Sequence, residues 1–373
     1  MSTLDTRGPL PVTRRAQLLE ALQRHGTVRV SELTDVLGVT PVTIRRDIAQ
    51  LASEGLVRRV HGGATLIAQD EDAGEDRPQA PTTAEQPALR SVGMLVPSLD
   101  YYWPGVVRGA KEEARVHGLR MVLRGSSYNT DDDRPQLARL IEQVGVDGLV
   151  IAPRMDASTA TETMSWLAST GVPLVLVERS ATVGPHHAMV ESVVSDHALG
   201  AAMAVRHLAS LGHRQVGLVL SRQSPTGPHV RRGWLEAALE CGFSANATVD
   251  ALVPSPRSPD WDAALDAVVD RCLATGTTGL LVHADPEAMA LVQRCEERGL
   301  SVPGDLSVVA YDDEVAGLCS PPLTAVRPPR RFIGRAAVGL VAARLADPGR
   351  PAHRVVISPA LWVRDSSAPP RSG

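Results

Sequence analysis

Residues 40–51 read Thr40-Pro41-Val42-Thr43-Ile44-Arg45-Arg46-Asp47-Ile48-Ala49-Gln50-Leu51. Thr40 can cap a helix, and Pro41 suits its first position, where a missing N–H costs nothing. Ile44, Ile48 and Leu51 recur at helical spacing, so one face is buried. Val42, Thr43, Arg45, Arg46 and Ala49 then turn outward. Small residues at the start of a helix let it approach a DNA groove closely, and guanidinium groups beside them pair with phosphate or guanine. Asp47 is placed to fix a neighbouring arginine.

Working outward, Thr13 caps a helix through Arg15, Leu18, Leu19 and Leu22, which His25-Gly26 end. A short strand is expected from Thr27 to Val30. Ser31 caps a second helix with Leu33, Val36 and Leu37 on one face, closed by Gly38. Downstream, Leu56 to Val60, a His61-Gly62-Gly63 turn and Ala64 to Ile67 read as a β-hairpin wing with arginines beside its tip. Residues 12–67 therefore form a winged helix-turn-helix. Its candidate DNA contacts are Thr40, Val42, Thr43, Arg45, Arg46, Arg58, Arg59 and His61, phosphate contacts being commoner than base contacts.

Charge is distributed to match. Residues 1–66 carry nine arginines against six acids, whereas residues 67–90 carry six acids against Arg77 and Arg90, in a chain of net charge −4. A basic head on an acidic body is the layout of a protein in which one module touches phosphate. Residues 68–90, rich in Asp, Glu, Gln, Thr and Pro, cannot offset their ordering entropy by burial and read as a flexible acidic linker that repels DNA.

Beyond the linker the period changes. Apolar strands are expected at Val92–Val96, Arg120–Leu123, Gly148–Ile151, Leu174–Val177, Val216–Leu220, Gly279–Val282 and Leu306–Ala310. Helical segments lie between them, such as Val106–His117, Pro135–Val144, Leu199–Leu211, Val230–Cys241, Trp261–Ala274 and Ala288–Arg298. Strict alternation means α/β architecture with doubly wound parallel sheets, here two units.

Several classes are disfavoured. Cys241, Cys272, Cys295 and Cys319 form no CxxC pair and read as reduced thiols of a cytoplasmic protein, and no His cluster has metal-ligand spacing, so no metal or cofactor is expected. Residues 1–11 lack a signal-like apolar run, and no later run reaches membrane-spanning length. No nucleophile elbow, phosphate loop, HExxH or dinucleotide fingerprint is present, which argues against an enzyme.

Two resemblances sharpen the reading. Arg14 to Ala64, RRAQLLEALQRHGTVRVSELTDVLGVTPVTIRRDIAQLASEGLVRRVHGGA, resembles the DNA-binding domain of DeoR-family regulators, with Ile48 standing where their TIRRDL signature has Leu. Residues 91–366 resemble the effector-binding core of the LacI/GalR family, which shares the periplasmic sugar-binding fold. SVGMLVPSLDYYWPGVVRGAKEEARVHGL, VDGLVIAP, HLASLGHRQVGLV, RGWLEAALECGF, VPGDLSVVAYDD and SPPLTAVRPPRRFIGRAAVGLV carry that resemblance in order.

The second resemblance implies two lobes, the first about 91–193 and 324–346, the second about 194–323 and 347–366, with ligand between them at the carboxyl ends of the strands. It points to Asp100, Tyr102 and Trp103, where the family often has Asn-Pro-Phe-Phe, and to Trp261, Asp285 and Asp312. Glu178, after a strand, and Arg231 are further effector candidates. Two departures stand out: Ala284 replaces a usual asparagine ligand, and Val230 replaces a usual arginine, with Arg231 one step along.

The reading at this level is a DNA-binding regulator, a repressor by analogy, forming a homodimer or dimer of dimers on a palindromic double-stranded operator. A sugar-like or polyol effector alters its affinity. A constitutive dimeric regulator with a ligand-silent core and an exported solute-binding protein stay open beside it.

Overall fold

The computed structural model describes residues 90–126, 132–243 and 249–371. Within the first 89 it describes residues 17, 18, 21, 22, 27–29, 33, 34, 39, 43, 44, 47, 48, 51, 57–60 and 63–66. The chain divides into two compact units, 1–84 and 85–373. The 68–90 linker reading falls outside the described residues except at Arg90.

In the first unit the described residues Leu18, Leu22, Leu33, Ile44, Ile48 and Leu51 are helical and buried together with Val28 and Val57. The Ile44, Ile48, Leu51 spacing thus faces a core, as expected. Strands β1 (Thr27–Arg29), β2 (Val57–Val60) and β3 (Gly63–Leu66) form an antiparallel sheet in the order β1-β3-β2. Val60 pairs with Gly63 across a tight hairpin, the expected wing, and β1 adds a third strand to it.

The second unit has two lobes. The sheet of lobe 1 runs β16-β10-β7-β6-β4-β5, and all its neighbours are parallel. Its strands are β4 (Ser91–Val96), β5 (Arg120–Gly125), β6 (Gly148–Ile151), β7 (Leu174–Val177), β10 (Glu191–Ser195) and β16 (Arg354–Ile357). The small hairpin β8 (Thr182–Val183) and β9 (Ala188–Met189) stands apart.

The sheet of lobe 2 runs β12-β11-β13-β14-β15-β17. Its strands are β11 (Val216–Ser221), β12 (Asp250–Val253), β13 (Gly279–His283), β14 (Ser307–Tyr311), β15 (Thr324–Arg327) and the antiparallel edge β17 (Ala360–Trp362). In each lobe the second strand in sequence lies outside the first and the third lies inside it. The crevice at that reversal opens at the carboxyl ends of the strands.

Central strands such as β4, β6, β13 and β14 are buried throughout, because helices cover both faces of a parallel sheet. In lobe 1, α1 (Trp103–Val116) packs against α8 (Arg330–Ala346) so closely that a Cβ on Gly109 would stand 1.8 Å from the Arg331 carbonyl oxygen. In lobe 2, Gly233 does the same for α4 (His197–Ser210) and α5 (Gly227–Glu240), 2.0 Å from the Ala198 oxygen. The remaining helices are α2 (Arg134–Ala138, continued by a π turn), α3 (Ala160–Ser169), α6 (Trp261–Thr275) and α7 (Asp285–Glu297).

The expected lobe boundaries need correction. β15 belongs to lobe 2, pairing Val309 with Thr324, so the second crossing falls at Pro328-Pro329 instead of before residue 324. α8 lies on lobe 1, and β16 pairs with β10 there, so residues 354–357 are lobe 1 and the third crossing falls just before β17. The parallel ladders decide this: a strand joins whichever sheet satisfies its backbone groups. Among the described residues no helix is long and apolar enough to cross a membrane. All four cysteines are free.

Candidate functional site

The site is built where the strands of both lobes end. From lobe 1 come Tyr101 and Tyr102 after β4, Glu178 after β7 and Ser195 at the end of β10. From lobe 2 come His197 at the start of α4, His283 and Asp285 around the end of β13, and Tyr311 and Asp312 around the end of β14. Five non-glycine residues among those described have positive φ, and four of them, Tyr102 (62°), Glu178 (54°), Asp312 (97°) and Asp313 (52°), lie here. Strained backbone of this kind persists only where the surroundings over-determine it, and it gathers at functional sites.

Glu178 is the hub on the lobe 1 side. Its side chain is 3% exposed and accepts from the Tyr102 hydroxyl, from Ser195 N at 2.9 Å and from Ser195 Oγ at 2.7 Å. His197 Nε2 sits 3.2 Å away, and His197 Nδ1 is 3.1 Å from the Tyr311 hydroxyl. Burial by itself pushes this carboxyl up. The positive field and hydrogen bond of His197, with the bonds from Tyr102 and Ser195, outweigh it and hold the group at about 2. The chain Tyr102–Glu178–His197–Tyr311 thus runs from one lobe into the other.

Asp285, fully buried, spends its carboxylate locally. It accepts from the backbone N–H groups of Asp313 (3.1 Å), Glu314 (2.6 Å), Val315 (2.9 Å) and Ala316 (3.2 Å). Desolvation still raises it to about 6, against the pull of those bonds. It organises the turn that presents Asp312. Burial likewise raises Asp312 to about 6, opposed by the charges of His197 and Arg330. Arg330, the first residue of α8, binds the carbonyl oxygens of Asp312 and Asp313, pairs with Glu314 at 2.8 Å and lies over the Tyr102 ring. It pins a lobe 2 loop to the base of a lobe 1 helix.

Of the sequence-derived effector residues, the structure brings Tyr102, Glu178 and Asp312 together. Asp285 lies beside them as a turn organiser, with three backbone N–H groups on Oδ2 and one on Oδ1. Trp103 is 1% exposed in the lobe 1 core, edge-on to Tyr102, because the helix that starts there turns it inward. Asp100 points to solvent. Trp261 is half-buried against the lobe 2 core at the start of α6. Arg231 leaves the cleft altogether, paired with Asp250 on the edge strand β12 at 2.7 Å, while Val230 is buried in the core.

Sequence reading missed Tyr101, Ser195, His197, Tyr311 and Arg330. Ser195 and His197 flank Asp196, which caps α4 by accepting from Leu199 N at 2.9 Å. That cap was a visible signal of a strand-to-helix junction. Of the proposed DNA contacts, Thr43 is helical and half-buried, and Arg58 and Arg59 lie on β2; Thr40, Val42, Arg45, Arg46 and His61 lie outside the described residues.

A winged helix-turn-helix unit followed by a two-lobed parallel-sheet unit with a polar cleft is the build of a DNA-binding transcriptional regulator. Comparison with known proteins gives the family. Residues 14–70 match the DeoR-like helix-turn-helix domain and residues 205–367 the periplasmic binding protein-like domain. An HTH-type transcriptional regulator in the aml 5' region of Streptomyces limosus is 30% identical over 299 residues, 78% of this chain and 82% of that protein. The arabinose metabolism transcriptional repressor of Geobacillus stearothermophilus is 23% identical over 347 residues, 90% of each. A solved LacI family transcriptional regulator from Mycobacterium smegmatis superposes with a TM-score of 0.60 at 25% identity, covering 75% of this chain and 100% of that one. The chain belongs to the LacI family of transcriptional regulators, and its DNA-binding head is of the DeoR-like type.

Proposed function

We propose that the chain is a cytoplasmic repressor that binds a palindromic operator as a homodimer through residues 12–67. A small sugar-like or polyol effector, held between the lobes of residues 91–366, sets its operator affinity. The observation that carries this reading is the buried, strained polar cluster assembled from the strand ends of both lobes, since a ligand bridging them changes the angle between the lobes. Carboxylates and hydroxyls on an aromatic floor suit a polyhydroxy compound. A relative concerned with arabinose metabolism agrees with that chemistry.

The test starts with selection of bound genomic fragments, followed by titration of the selected operator with the full chain, with and without a sugar and polyol panel. One panel member should shift operator affinity and raise the melting temperature. Arg45→Ala and Arg46→Ala should each weaken operator binding by about 1–3 kcal/mol, the phosphate-binding one also flattening the salt dependence by about one unit of slope. Unchanged operator binding in both variants sinks the assigned recognition helix.

A second reading, a ligand-silent core serving only dimerisation, draws on one specific observation. Val230 and Ala284 place buried apolar side chains where the family resemblance implies polar ligands. A panel that moves neither melting temperature nor operator affinity decides for it.

A further inference from the structure

The three strands of the head pair in a register that sorts its arginines between two faces. Directly opposed residues of antiparallel strands share a face, and successive residues along a strand alternate. One row across the sheet is Thr27, Thr65 and Arg58, the next is Val28, Ala64 and Arg59, and the third is Arg29, Gly63 and Val60. Val57 pairs with Leu66 at the far end of β2. Val28 and Val57 are buried in the core of the head, 6% and 1% exposed. Both place Arg59 on the core side, Val28 through the row it shares and Val57 through the two-residue step along β2. Thr27, Arg29, Arg58, Val60, Gly63 and Thr65 occupy the opposite face.

We propose that this outer face is a phosphate-binding surface, on which Arg29 and Arg58 neutralise backbone phosphates of double-stranded DNA. This rests on the reading of residues 12–67 as the DNA-binding head. Arg58 and Arg59 are neighbours in sequence, yet the register parts them and joins Arg58 to Arg29, a residue far from both the third helix and the hairpin turn. Strand spacing of about 4.8 Å and a rise of about 3.4 Å per residue put the two Cα atoms roughly 12 Å apart, at diagonal corners of the face.

The rest of the face suits the same partner. Thr27 and Thr65 are hydroxyl residues, a type that binds phosphate oxygens beside arginine, and Gly63 lets another backbone come close between Arg29 and Val60. No acidic residue stands in any of the three rows. Val60 is the one large apolar residue of the face, too little for the core of a protein interface. The other face is closed to a duplex, because Val28 and Val57 are covered there. Guanidinium groups on phosphates carry no sequence information, so this face adds affinity and leaves operator choice to the recognition helix.

The test measures binding of the full chain and its Arg29→Ala, Arg58→Ala and Arg29→Lys variants across a salt series, to a scrambled-sequence DNA duplex and to the selected operator. Each alanine variant should bind both duplexes about tenfold more weakly, the loss of one charged hydrogen-bonding group, and flatten the salt dependence by about one unit of slope. Arg29→Lys keeps the charge and should keep the wild-type slope. Preference among operator variants should stay as in the wild type. An unchanged slope in either alanine variant overturns the surface. So does a flattened slope in Arg59→Ala with none in Arg29→Ala, which would set the opposite face against DNA. A changed base preference in Arg29→Ala assigns that residue to a base edge and overturns the phosphate contact. Equal loss of slope in Arg29→Ala and Arg29→Lys, with a lower melting temperature in both, shows the arginine to be structural and overturns it too. A wild type that binds neither duplex removes the DNA-binding reading of the head, and this surface with it.

Discussion

The two sides of the cleft differ in how far their polar groups are satisfied. On the lobe 1 side the Glu178 carboxylate meets the Tyr102 hydroxyl, the Ser195 amide and hydroxyl, and His197. On the lobe 2 side His283 Nδ1 is buried without a partner among the described residues, and Tyr101 reaches across to face Asp312. A saturated network fixes geometry, whereas an unsaturated one stores capacity for something yet to arrive. Ser195 and His197 flank the first crossing of the chain between lobes, so the saturated side also lies at that crossing.

The largest expected effect tests the saturated side. Glu178→Ala leaves a phenol, an amide, a serine hydroxyl and an imidazole buried without their shared acceptor, and should destabilise the sensor unit by about 3–5 kcal/mol in denaturant unfolding. A loss under about 1 kcal/mol would mean that the network relaxes onto water and that the contrast between the two sides is false.

Acidity separates the sides more finely. Glu178, held at about 2 against an ordinary 4.5, contributes stability that is present above pH 4.5 and lost as pH falls toward 2. The shift corresponds to about 3 kcal/mol. Asp312 and Asp285, raised to about 6 from 3.8, contribute in the opposite sense: their stability is present below pH 3.8 and lost as pH rises through 6. His283, lowered to about 4 from 6.5, loses its contribution as pH falls between those values and so opposes the two aspartates. Melting curves of Glu178→Gln should therefore lack most of the wild-type decline below pH 4.5. Asp312→Asn should remove a gain between pH 6 and 4. An acid limb identical in Glu178→Gln and wild type would place the acid sensitivity elsewhere.

Asp285→Ala comes next. Four backbone N–H groups of residues 313–316 lose their acceptor, while relief of a desolvated carboxylate offsets part of the damage, for a net loss of about 2 kcal/mol. Because this turn presents Asp312, effector affinity should fall with stability. Asp285→Asn, which keeps one acceptor oxygen, should recover part of both. A variant that loses affinity at full stability would make Asp285 a direct ligand and restore the reading its sequence position suggests.

Legibility in the sequence follows the same physics. The Ile44, Ile48, Leu51 spacing and the apolar runs of β4, β6, β13 and β14 were readable because buried elements must repeat at their own period. The edge strands β12, β16 and β17 escaped notice, since exposed residues such as Asp250, Arg354 and Trp362 blur the pattern. So did the interior β10 and β15, whose short apolar runs are broken by Glu191, Ser192 and Thr324. Tyr102, Glu178 and Asp312 were legible as polar residues just past strand ends. Ser195, His197, Tyr311 and Arg330 were not, because what brings them together is the repeated crossing of the chain between lobes, a long-range feature with no local signature. The lobe boundaries were misplaced for the same reason.

Arg231 marks the smallest expected effect and the clearest separation of position from role. Its place one residue after Val230 suggested that a displaced arginine might still reach the ligand, but the helix geometry of α5 forbids this. One step along a helix rotates a side chain by roughly 100°, and here that turns Arg231 from the core-facing row to the flank beside β12. There it pairs with Asp250, both side chains being about a third exposed at 36% and 32%. Such pairs contribute under about 1 kcal/mol in salt. Arg231→Ala should accordingly leave effector affinity unchanged and shift the melting temperature by no more than about 2 °C. A tenfold loss of affinity in that variant would require the edge of lobe 2 to move into the cleft on binding.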